Sequence, residues 1–125
     1  MQVSSVQIYR GVLLDAVRSC NFYKEELLLL KIRMQEVSEK NAALMIVDNV
    51  EDFENECVAQ DEAFDHIIHN LKLQINAVEK LLIAEHSTLQ NSVSKQKALV
   101  TEVENAEKSF IDTKHGFYQF LSKVL

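Results

Sequence analysis

The sequence predicts an all-α fold, an antiparallel up-down-up three-helix bundle of long helices with coiled-coil-like packing. Three observations predict it. Core-type residues recur at three-four spacing through the first forty positions: Val6, Tyr9, Leu13, Ala16, Cys20, Tyr23, Leu27, Leu30, Met34 and Val37. The 125 residues include no proline and only two glycines, a composition of long helices joined by few turns. The apolar repeat also lapses twice, dividing the chain into three segments of matching length, which pack side by side when the links are short.

The first segment spans about residues 5–40, and its repeat stops at Ser38-Glu39-Lys40-Asn41, with Asn41 suited to a cap or turn. The second, about 43–86, carries Ile46, Val50, Phe53, Cys57, Phe64, Ile67 or Ile68, Leu71, Ile75, Val78 and Leu82. No glycine or proline marks its end. The break is placed near 85–87 because the stripe thins there and Ser87 followed by Gln90 reads as a capping box. The third, about 88–124, carries Leu89, Val93, Val100, Val103, Ala106, Phe110, Phe117, Leu121 and Val124, interrupted by Gln96 and by Thr113 or Lys114. A single domain over 1–125 is expected, since one core suffices at this length. The competing architecture fuses segments two and three into one very long helix, which needs a second chain to cover it.

Composition excludes several function classes. The formal charge is −6, with thirteen basic residues scattered among nineteen acids, so no basic stripe exists to bind nucleic acid. The longest apolar runs, at 27–30 and 42–47, are far too short for a membrane span, and the amino terminus lacks the pattern of a secretory signal. A cytoplasmic location is the default expectation. Cys20 and Cys57 both fall at core spacing and read as buried, reduced thiols; in the simplest antiparallel register they miss one another by about seven residues, or roughly 10 Å.

Chemistry-bearing groups are sparse. Glu62, His66 and His69 lie at i, i+4 and i+7, a spacing that aligns three metal ligands on one side of a helix, but the helical angle turns them roughly 140–200° from Phe64 and hence into water. Asp112 and His115 supply one isolated Asp-x-x-His pair, short of what a di-iron bundle needs. No glycine-rich phosphate loop or nucleophile elbow is present, and His86 reads as a helix-terminal residue. No enzyme activity, cofactor, metal or small-molecule substrate is expected. Between Asn41 and Leu71 lie eight acids (Asp48, Glu51, Asp52, Glu54, Glu56, Asp61, Glu62, Asp65) and no lysine or arginine. They form either a docking face for a basic partner or a solvated face compensated by Arg18, Lys24, Lys31 and Arg33 of segment one and by Lys108, Lys114 and Lys123 of segment three.

Segment one is more apolar than its inward seam requires. With Val6 at heptad position a, Phe22, Leu28, Leu29 and Ile32 fall at c, b, c and f. Two flanking helices would absorb Leu28 but hardly Leu29. Tyr118 and Phe120 add aromatic surface near the carboxyl end, level with 22–32 if segments one and three are parallel. These six residues are the candidate partner interface.

The stretch Glu39-Lys40-Asn41, then Val50-Glu51-Asp52-Phe53-Glu54-Asn55 and Gln60, resembles a group of small all-helical proteins from Bacteroidota with no assigned activity. The likeness covers about residues 25–75. It implies a compact helical protein with a short turn after Asn41 and carries no functional residues; Leu44 and Met45 depart from it, where polar residues are its pattern. The expected function is therefore non-enzymatic: a helical-bundle interaction or structural protein that offers apolar helix faces to a homodimer or a partner helix. A small acidic export or assembly chaperone is the alternative, and a metal-binding protein is the third reading.

Overall fold

The computed structural model describes residues 3–41, 43–83 and 89–124, with side chains for 6–41, 43, 45–80 and 93–124. It holds three helices that pack against one another: α1 (Val3–Lys40), α2 (Leu44–Ile83) and α3 (Leu89–Val124). Because α2 and α3 pack together within one chain, the fused-helix architecture does not form. The expected break at 85–87, with His86, Ser87 and the capping box, lies outside the described residues, as do the side chains of Leu82 and Leu89.

Asn41 ends α1. Its backbone N–H and its side-chain amide both donate to the Val37 carbonyl, at 3.1 and 2.9 Å, which satisfies one of the acceptors that a helix leaves open at its last turn. Two residues on, the Ala43 carbonyl accepts from the amides of Ile46 and Val47 and opens α2.

The core follows a seven-residue interval. Val6, Leu13, Cys20, Leu27 and Met34 from α1, Val50, Cys57, Phe64, Leu71 and Val78 from α2, and Val103, Phe110 and Phe117 from α3 are all buried. Leu30, Val37, Ile46, Ile67 and Ile75 close the intervening layers, with Tyr23, Phe53 and Ala106 packed partly inside. Each fully buried side chain of Leu or Phe size contributes about 1.5–3 kcal/mol. Three aromatic rings lock the middle of the bundle, since Tyr23 stacks on Phe64 at 5.9 Å and tilts against Phe110 at 5.3 Å, one residue from each helix.

The partners fix direction and register. Arg10 meets Glu79, Lys24 meets Asp65, and the Cys57 thiol lies 4.0 Å from the Met34 sulfur, so α1 and α2 run antiparallel. Gln60 meets Thr113 while Phe53 meets Phe117 and Phe120, so α2 and α3 are antiparallel as well. This register corrects the expected cysteine offset. Cys57 sits level with Met34, about fourteen positions from Cys20, which separates the thiols by roughly 20 Å along the axis. Both are free and buried, and burial pushes each thiol up to about 11.

Candidate interaction surface

α1 turns its a and d positions to the core, its e positions toward α2 and its g positions toward α3. Arg10 and Lys24, both e, pair with α2; Glu107 of α3 acts on Cys20 and Tyr23. Positions c and f are left pointing away from both neighbours. There the structure places Phe22 (53% exposed), Leu29 (61%) and Ile32 (45%), with Leu28 (59%) on the adjoining b position. Leu28 is not absorbed by the neighbouring helix and stays exposed with the other candidate interface residues of α1. It lies at the lip of a groove between α1 and α2 lined by Lys24, Lys31, Val58, Asp61 and Glu62. Leu28, Leu29 and Ile32 are neighbours at i, i+1 and i+4 on one side of α1, and Phe22 lies one heptad before Leu29 on the same side, with Glu25 between them.

The carboxyl-terminal aromatics divide. Tyr118 is exposed (41%) and joins this surface; Phe120 does not. Phe120 is half-buried, with its ring centroid 5.9 Å from that of Phe53, because it continues the three-four series Phe110, Thr113, Phe117, Phe120, Val124 that faces the core. The expected stripe ran through Leu121 instead, which also packs partly inside. Ile111, seven residues before Tyr118 and 53% exposed, is the residue that the sequence reasoning missed. The signal was available in that seven-residue interval. Ile111 and Tyr118 lie on the flank of α3 next to the edge occupied by Glu107, which is the edge toward α1; Ser109 and Gly116, on the opposite edge, meet α2. With Tyr23 level with Phe110, Phe22 and Leu29 alternate with Ile111 and Tyr118 along the outer rim of the α1–α3 seam.

The acidic stretch of α2 is only partly compensated. Lys24 pairs with Asp61 and Asp65, and the bond to Asp65 raises the Lys24 pKa. Arg18 and Arg33 turn instead to Asp15 and Glu36 of their own helix. Among the described residues no ion pair reaches Asp48, Glu51, Asp52, Glu54, Glu56 or Glu62, and neither Lys31 nor the expected lysines of α3 approach closely enough to make one. Beside these acids α2 and α3 leave a shallow groove lined by Glu56, Ala59, Gln60, Ala63, Ala106 and Ser109.

Other candidate chemistry does not converge. Glu62, His66 and His69 are exposed, with His66 against Asn70, and Asp112 and His115 are exposed on α3. Among the described residues no three His, Cys, Asp or Glu side chains gather in a way that could hold a metal ion, and no helix is long and apolar enough to cross a membrane. One polar group spans the α2–α3 seam around the buried Thr113. Gln60 donates to Thr113 at 2.6 Å and to the Ser109 carbonyl at 3.2 Å, and the Thr113 hydroxyl donates to Glu56 at 3.1 Å.

No family model, curated protein or solved structure matches this chain.

Proposed function

We infer that this is a helical-bundle interaction protein, non-enzymatic, whose working surface is the outer face of α1 and its rim with α3. One observation carries the reading: Phe22, Leu28, Leu29 and Ile32 are all exposed on the side of the helix away from the core, interrupted there only by Glu25, where packing of the bundle gives no reason for apolar residues. A helix laid on this patch would bury it by the same three-four interdigitation that closes the interior. Leu29 stands at its centre.

The test is Leu29→Glu, measured by light scattering of the pure protein at micromolar concentration and by capture of partners from native cells. Loss of a dimer, or loss of a specific bound protein, supports the reading. A wild-type chain that is monomeric and captures nothing that Leu29→Glu releases would end it. A second reading, a small acidic assembly chaperone, draws on the six acids of α2 left without cations. It requires a captured client that is basic and released by salt.

A further inference from the structure

We propose that the partner of this face is a second copy of the same chain, with the two α1 helices packed back to back and antiparallel. The inference rests on the reading of the α1 face above and adds its occupant and register. The outer seam of α1 is itself a heptad series: position c holds Asp15, Phe22, Leu29 and Glu36, and position f holds Arg18, Glu25, Ile32 and Glu39. Its apolar middle is bracketed by two charged pairs of opposite order, Asp15–Arg18 at 2.7 Å and Arg33–Glu36 at 4.0 Å. Only an antiparallel partner presents the second pair to the first.

The register follows from the series. In antiparallel packing a c position meets an f position, and the layers advance by three and four residues in opposite directions. Placing Phe22 against Ile32 of the second copy brings Glu25 against Leu29 and Arg18 against Glu36, twice each by the two-fold axis. Arg18 and Glu36 then join the two intrahelical pairs into an alternating chain, Asp15, Arg18, Glu36, Arg33, at both ends of the interface. Farther out Asp15 comes level with Glu39, whose neighbour Lys40 offsets it. A shift of one heptad in one direction stacks Arg18 on Leu29 and Phe22 on Glu25. A shift in the other opposes Glu25 to Glu36. Charge complementarity therefore selects the first register. Glu25 is its one flaw, a carboxylate whose stem covers Leu29 while its head reaches for the rim.

The experiment measures dimer dissociation by sedimentation at low salt for the full-length wild type, Arg18→Glu, Glu36→Arg, the double swap and Glu25→Leu. All altered residues are exposed, so the fold is retained. Each single reversal turns two attractions into repulsions and weakens the dimer by about tenfold or more; the double swap returns it to within about threefold of wild type. The like-charge neighbours that the swap creates within each helix exist in monomer and dimer alike and cancel. Glu25→Leu tightens the dimer by about tenfold. A wild type that stays monomeric to millimolar concentration overturns the proposal. So does a dimer indifferent to the single reversals, or one that the double swap fails to restore. If the chain is monomeric yet binds another protein's helix in a Leu29-dependent way, self-pairing falls while the functional reading stands.

Discussion

Gly116 illustrates how a single position can work against its element. It sits in α3 with ordinary helical geometry, and a Cβ built there would meet the Phe53 ring at 3.5 Å, an ordinary contact. Glycine in a helix interior costs about 1 kcal/mol relative to alanine through the freedom it keeps when unfolded. Gly116→Ala is expected to raise the thermal midpoint by a few degrees, measured by circular dichroism. The thiols make a second residue-scale prediction. Burial raises both Cys20 and Cys57 from 9.0 to about 11, foremost by desolvation. The unfolded chain therefore gives up these protons at lower pH than the folded one, and stability present below about pH 9 declines as pH rises toward about 11. A thiol reagent at pH 8 should label neither cysteine in the native protein and both after denaturation. Rapid stoichiometric labelling of the folded chain would contradict this burial.

At the scale of elements, the α2–α3 pairing is set by a polar layer. Gln60, Thr113 and Glu56 form a connected group in a mostly apolar seam that also buries Gln74 and Gln96, and such groups hold register because any slip leaves them unpaired. Thr113→Val keeps the shape but removes both bonds of the hydroxyl, leaving the Gln60 amide with the Ser109 carbonyl alone. A loss of about 1–2 kcal/mol in urea unfolding is expected, with helix content unchanged. Sequence reasoning saw Thr113 as an interruption of the seam and could not supply its partner, because Gln60 lies 53 residues away and only the fold brings the two together. The same limit governed Phe120. Between two adjacent large apolar residues, Phe120 and Leu121, periodicity alone does not say which meets Phe53.

For the molecule as a whole, the surface divides by chemistry: an apolar face on α1 continued by Ile111 and Tyr118 of α3, and an acidic face on the amino-terminal half of α2. Leu29→Glu should leave the monomer's stability within about 0.5 kcal/mol, since the residue is exposed, while abolishing association through the face. A large stability loss in a monomeric sample would mean that Leu29 packs within its own bundle.

The amino-acid order by itself determined the three helices and their inward faces, because a seven-residue apolar interval can bury itself only as helix against helix. It also revealed the surplus of Phe22, Leu28, Leu29 and Ile32, since that interval has no place for them. Tertiary structure decided what depends on register between distant segments: that Cys57 stands level with Met34, that among the described residues Lys24 alone pairs with the acids of the stretch 48–65, that Leu28 remains uncovered, and that Ile111 and Tyr118 border the α1 face. Spacing along a chain sets the direction in which a side chain points, but which residue stands opposite is settled only when all three helices share one core.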